Sequence, residues 1–185
     1  MAIRSSPQHM DCVTIMHSLI NPDNSCSFTG YRPEKLPWGD NEDSVRCNLL
    51  KEKLFSTAQH LVVDFGIRHF ICGMARGSDT FFCEAVLLLR GKFPEVTLEA
   101  AVPHSGQSSK WSHEDKLRYS ALINKCNMIT VVSEEYSKTC MMRRNRYMVK
   151  NASILIAVFD GKSGGTNNTV KYACHRGLKI IEIVP

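Results

Sequence analysis

From Ile154 to Phe159 the chain runs six apolar residues without a break, then turns at once through Asp160-Gly-Lys-Ser-Gly-Gly-Thr-Asn-Asn. A short continuous apolar run suits a strand covered on both faces, because an open face would show polar alternation. Upstream, Cys140 to Asn151 reads as a basic helix, and downstream a second helix begins its first turn near Thr166. Helix, buried strand, glycine turn and helix in that order form the repeating unit of an α/β sheet. Backbone N–H groups at such a helix start lack acceptors and carry partial positive charge, so an anion, most often a phosphate, is favoured there. Gly164 and Gly165 let it approach the backbone with no Cβ in the way.

The same unit recurs along the chain. Ser25 to Thr29 is β-prone and stops at Gly30-Tyr-Arg-Pro33; after Asp40, Asn41 and Asp43 comes a helix with Leu50, Leu54, Ala58, Leu61 and Phe65 as its buried stripe and Gly66 as its stop. His69 to Gly73 is the second strand, followed by Met-Ala-Arg-Gly-Ser-Asp79 and a helix holding Phe82, Ala85, Val86 and Leu89, capped by Ser78 or Asp79 and closed by Gly91. Val96 to Val102 is the third. Ser112-His-Glu-Asp115 resembles a capping box and opens a helix through Leu117, Ala121 and Leu122. Met128 to Val132, Ile154 to Phe159 and Lys179 to Val184 complete six strands separated by five helices. The expected fold is a Rossmann-like, doubly wound, mainly parallel α/β sheet with helices on both faces, whose ligands collect beyond the carboxyl ends of the strands. Gly30, Gly73, His104 and Gly164 all fall at those ends.

With 185 residues and no linker-like stretch, one core is expected over residues 25–185, preceded by an N-terminal extension, residues 1–24, held loosely. No apolar run approaches the roughly 20 residues that span a bilayer. Eight cysteines without a pairing rhythm or a Cys-x-x-Cys pair suit free thiols in a reducing cytoplasm, and no structural metal site is expected. The net charge of +5 is mild and concentrated in Lys138 to Lys150. A solvated helix face and an anion site both explain it, with nucleic acid the least expected partner.

Two phosphate motifs fail. A P-loop would need glycine where Ile156 stands, and Gly30 is not followed by the spaced glycines of the dinucleotide fingerprint. Three glycine turns remain, partnered by Arg32, by Arg76 with Ser78 and Asp79, and by Thr166 with Asn167. Gly73 to Asp79 reads either as a tight turn with a cap or as an anion loop in which Arg76 makes a bidentate contact. Asp79 either caps its helix or binds a ribose hydroxyl. Trp111, in a loop with Gln107, either stacks on a base or packs on the next helix. Arg143, Arg144 and Arg146 cannot all face one way at helical spacing, so one of them, with Asn145, is expected to reach the pocket.

Thr29-Gly-Tyr-Arg-Pro33, Gly73-Met-Ala-Arg-Gly-Ser-Asp79, Gln107 with Trp111, Arg144-Asn-Arg-Tyr-Met-Val149 and Gly164-Gly-Thr-x-x-Thr-Val-x-Tyr-Ala173 together resemble the YpsA-like branch of the SLOG superfamily, from about Ser25 to the C-terminus. That superfamily also holds the LOG phosphoribohydrolases and the DNA-processing protein DprA. The resemblance implies a nucleotide or nucleotide-derived ligand of the ADP-ribose, NAD or AMP type, bound or sensed by Gly30, Tyr31, Arg32, Gly73, Arg76, Gly77, Ser78, Asp79, Gln107, Trp111, Arg144, Asn145, Gly164, Gly165 and Thr166. LOG enzymes carry an Arg-Lys pair and a Pro-Gly-Gly-x-Gly-Thr-x-x-Glu whose glutamate serves in cleaving an N-glycosidic bond. Here Arg144-Asn145 and Thr169 stand at those places, so a binding protein is expected before a nucleoside-monophosphate N-ribohydrolase, and a DprA-like single-strand binder third. Homo-oligomers are common among such relatives.

Overall fold

The computed structural model describes residues 20–185; most of the expected N-terminal extension, residues 1–19, lies outside the described residues. A 3-10 turn at Pro22–Asn24 leads into β1 (Ser25–Gly30), and a second at Pro33–Lys35 follows it. Then come α1 (Val45–Phe65), β2 (His69–Cys72), α2 (Ser78–Arg90), β3 (Thr97–Val102), α3 (His113–Ile123), β4 (Met128–Val131), α4 (Cys140–Lys150), β5 (Ile154–Val158), α5 (Gly165–His175) and β6 (Lys179–Ile183). The strands form one parallel sheet in the order β4-β3-β2-β1-β5-β6.

That order has one reversal. The chain lays strands outward from β1 to β4, and α4 then carries it back to set β5 against the free side of β1, with Gly30 opposite Val158. Right-handed crossovers put the helices laid before and after this return on opposite faces of the sheet. α1 packs on α2, and α4 packs on α5. Beyond the carboxyl ends of β1 and β5 the loops part in opposite directions and leave a crevice.

The apolar runs explain the layers. All five residues of β5 are buried, as both covered faces demand. Leu50, Leu54, Ala58 and Leu61 form the inner stripe of α1, whereas Phe65, expected to continue it, is 43 % exposed in the last turn. Gly66 closes that helix in the left-handed conformation, and its start is capped by Ser44, whose hydroxyl accepts from the Cys47 N–H at 3.1 Å. Under the sheet, Phe82 of α2 stacks on Phe28 at 4.3 Å between ring centroids and meets Phe70 edge-on. Each such ring removed from water contributes about 1.5–3 kcal/mol. Leu117, expected on the core side of α3, is exposed; only Leu122 of that helix is buried.

Among the described residues no helix is long and apolar enough to cross a membrane. The seven described cysteines are free.

Candidate functional site

At the switch point between β1 and β5 lies a cavity of about 300 Å³. Its floor is the end of β1, where Gly30 lets α2 come close: a Cβ on Gly30 would lie 2.6 Å from that of Ser78. The Ser78 N–H in turn donates to the Tyr31 carbonyl at 3.1 Å. One wall is the start of α5. Its N-cap, Gly164, holds φ at +146°, a conformation glycine tolerates, and no side chain caps the helix. The first helical bond there runs from the Asn168 N–H to the Gly164 carbonyl at 3.0 Å. The N–H groups of Gly165, Thr166 and Asn167 therefore have no acceptor within the helix, and its dipole adds positive potential at the same place.

A further wall is Arg144 of α4. It is 6 % exposed, its Nη1 donates to the Gly73 carbonyl, and its buried Nε has no hydrogen-bond partner among the described residues. Asp79, 5 % exposed, stands beside it and accepts the Ala75 N–H at 3.1 Å. Burial raises the Asp79 pKa, and the charge of Arg144 and the Ala75 N–H only partly oppose it. Burial likewise lowers that of Arg144, with Asp79 the main opposing charge. At the mouth, Arg32 is exposed, and Lys35 holds its ammonium 5.5 Å from the Tyr31 ring centroid and 3.4 Å from the Ser163 carbonyl. Among the described residues three cations and two carboxyls, Asp79 and Glu34, line the cavity, and their balance is positive.

Of the residues the sequence singles out, Gly30, Tyr31, Arg32, Asp79, Arg144, Asn145, Gly165 and Thr166 border this one cavity. Gly164 shapes its helix start and Gly73 anchors Arg144. Tyr31 is 4 % exposed, and its hydroxyl donates to Asp160 at 2.5 Å. Asp160 also takes the Lys162 ammonium at 2.6 Å, which gives the failed P-loop stretch a bracing part.

Arg76, Gly77 and Trp111 do not reach the cavity; they border a separate space of about 30 Å³ beside α3. Met74 at φ +56° and Gly77 at φ +78° turn the loop so that Arg76 leaves on that side. There its guanidinium meets Asp40 at 2.8 Å, Asp115 at 2.9 Å and Glu34 at 3.6 Å, a clamp that ties the β2–α2 loop to the β1–α1 loop and to the first turn of α3. Trp111 packs edge-on against Tyr119 at 5.3 Å, the packing alternative. Gln107 donates to the Met74 and Gly73 carbonyls at 2.6 and 3.2 Å and so fixes the loop that holds Arg144. Ser78 and Asp79 lie inside α2, whose N-cap is Gly77, and the Ser78 hydroxyl is buried without a partner among the described residues.

Thr169 is buried in α5. Its hydroxyl donates to the Gly165 carbonyl at 2.9 Å and accepts from Asn145 Nδ2 at 2.8 Å, which ties α4 to α5. Lys35, Met141 and Met148 border the cavity without having been singled out. Lys35 had a legible signal, since it stands two residues beyond Pro33 in the same strand-end loop as Arg32.

Comparison with known proteins agrees with the motifs. The chain is 32% identical over 136 residues to the SPbeta prophage-derived protein YoqJ of Bacillus subtilis (strain 168), covering 67% of this chain and 80% of that one. It is 21% identical to a UPF0398 protein of Lysinibacillus sphaericus (strain C3-41) over 78% of this chain and 80% of the relative. Among solved structures, DprA of Streptococcus pneumoniae superposes with a TM-score of 0.57 at 14% identity, over 85% of this chain and 49% of DprA, so the chain spans about half of that protein. DprA of Helicobacter pylori, described for its single-stranded DNA binding mode, superposes with a TM-score of 0.58 at 14% identity, over 89% of this chain and 67% of that one. These likenesses concern the fold. The profile of YpsA, described as the YspA SLOG family, matches residues 26–179, and the chain belongs to that family.

Proposed function

We propose that the protein binds or senses a nucleotide or nucleotide-derived ligand, of the ADP-ribose, NAD or AMP type, in a reducing cytoplasm, with the ligand's phosphate against the start of α5. The observation that carries this reading is Arg144, a buried guanidinium with an unpartnered Nε, bordering the same cavity as the unpaired amides of α5. A buried cation short of hydrogen-bond acceptors is costly, and an anionic ligand removes that cost while gaining charge-assisted bonds. Arg32 and Lys35 at the mouth add attraction without closing it. Binding is preferred over bond cleavage because Thr169, at the place of the LOG glutamate, is occupied in a helix-to-helix tie and has no acid to offer.

Thermal melting with ADP-ribose, NAD and AMP at millimolar concentration tests this. A ligand present at about 100 times its Kd stabilises the fold by about 2.7 kcal/mol. For a domain of this size that raises the Tm by about 5–10 °C. No shift with any of the three would defeat the reading.

A second reading keeps nucleic acid among the partners. Lys138, Arg143, Arg146 and Lys150 all lie exposed on or beside α4, and the fold is shared with the single-stranded DNA binder named above. It calls for single-stranded DNA affinity that falls steeply with salt. A flat titration at low ionic strength removes it.

A further inference from the structure

The crevice is not the only cavity that α5 borders. Between the outer sides of α4 and α5 runs a groove of about 450 Å³. It shares Met141, Asn145 and Gly165 with the switch-point cavity, so the two meet across the first turn of α5.

The groove has a distinct chemistry. Met141 and Met142 supply flexible apolar surface, and Met142 is 45 % exposed on an otherwise polar side of α4. Tyr172 of α5 presents an aromatic ring, with the Arg146 guanidinium 5.5 Å from its centroid. Lys138 adds a second cation, and among the described residues no carboxylate borders the groove. Apolar sulfur, a ring, an arginine plane and an excess of positive charge are what a flat heteroaromatic group on a phosphate would meet favourably.

We propose that the α4–α5 groove is a second subsite, so that the preferred ligand is two-lobed. Its bridging phosphates cross Gly165 at the helix start, one lobe fills the switch-point cavity, and the other lies on Tyr172 and the two methionines. The chemical class is a pyrophosphate-bridged molecule with a planar or sugar group on each side. Each cavity alone falls near the lower part of the range for small-molecule pockets, whereas a continuous pair suits one larger ligand. Asn145 becomes the hinge between the lobes: held by Thr169, it stands on the wall common to both cavities. This inference rests on the nucleotide reading above and adds the second lobe to it.

The experiment compares dissociation constants of the one-lobed probe AMP with those of ADP-ribose and NAD, by calorimetry, for the native chain, Tyr172→Ala and Met142→Glu. Tyr172 is half-buried and its loss weakens packing, so the exposed Met142, changed to a carboxylate that repels a phosphate-bearing lobe, serves as the second variant. The expected result is tighter binding of NAD or ADP-ribose than of AMP, with about a tenfold loss for the two-lobed probes in both variants. AMP affinity should change less than about twofold, since its site holds neither side chain. Two-lobed affinities that stay within about twofold in both variants, with AMP still bound, overturn the second subsite and leave the first standing. If AMP, NAD and ADP-ribose all fail to bind the native chain, the nucleotide reading falls and this one with it. A change of sedimentation in Met142→Glu without any change in ligand preference overturns the proposal in favour of a contact between copies.

Discussion

A Cβ on Gly73 would fall inside the guanidinium of Arg144 and 2.9 Å from Asp79 Oδ2. Glycine stands at the end of β2 because a buried cation from α4 occupies the space a side chain would need, with the Gly73 carbonyl as its hydrogen-bond partner. Gly73→Ala therefore displaces Arg144 or forces the loop outward. Overpacking of this kind costs about 1–3 kcal/mol, or a few degrees in Tm for each kcal/mol. The discriminating readout is binding: Gly73→Ala should lose as much phosphate-ligand affinity as Arg144→Met does. An Arg144→Met variant that binds like the native chain would show that Arg144 has no part in the site.

Lys35 sits at the other side of the mouth. A Cβ on Gly164 would lie 2.6 Å from its Nζ, so the ammonium lies over the uncapped start of α5. Being exposed, it contributes only about 1 kcal/mol to holding an anion. Lys35→Met should weaken AMP binding about fivefold at low salt and much less at high salt, where the native affinity is already screened. Isothermal titrations at two ionic strengths decide this, and equal losses at both would assign Lys35 to packing.

Beside the Arg76 clamp stands a second ion network, joining α1, α2, α3 and the β1–α1 loop, with its own pH dependence. Arg118 of α3 binds Glu84 at 2.8 Å and Glu42, which also takes Lys51 at 2.8 Å. Burial alone would raise the Glu42 pKa, but the hydrogen bonds from Arg118 and Lys51 outweigh it and hold the carboxyl below its usual value of 4.5. A carboxyl depressed in the fold stabilises it fully above that value and loses the contribution as pH falls through the folded pKa. Melting temperatures should accordingly drop as pH falls below 4.5 and through the depressed folded pKa, and Arg118→Met should lower the Tm at pH 6 while flattening that acid limb. An unchanged limb in the variant would remove Glu42 as its source.

The sheet was legible because continuous apolar runs and glycine stops are local signals. All six strands and five helices stand within a few residues of where periodicity puts them. The gathering of Gly30 and the Thr166 turn was also legible, since parallel strands must place their carboxyl ends on one edge, whereas helical spacing left open which of Arg143, Arg144 and Arg146 would join them. The direction of Arg76 was not. It depends on Met74 adopting φ +56° and on Asp40 and Asp115, distant in sequence, lying on the far side of the loop. Gln107 and Trp111 were singled out as a pair, yet one braces the β2 loop and the other packs on α3. The spacing of a loop does not encode which way its side chains leave it. Phe65 and Leu117 mark the same limit for helices, where a periodic stripe continues past the part that the sheet covers.

Asp79 separates binding from catalysis. It is the buried carboxyl of the cavity, and burial holds its pKa above the usual 3.8 despite Arg144. A raised folded pKa means that the fold binds this proton more tightly than the unfolded chain does; the ionised form begins to cost stability as pH rises past 3.8 and costs it fully above the folded pKa. Ionised Asp79 also opposes an incoming phosphate. ADP-ribose, whose diester phosphates stay ionised throughout, should therefore bind the native chain more tightly as pH is lowered through the titration of Asp79. Asp79→Asn keeps an oxygen to accept the Ala75 N–H but removes the charge, so its affinity should be higher at neutral pH and nearly flat with pH. The opposite result, no gain in affinity together with release of free base from nucleoside monophosphates by the native chain and none by the variant, would make Asp79 the acid of a hydrolase and Thr169 no obstacle to cleavage.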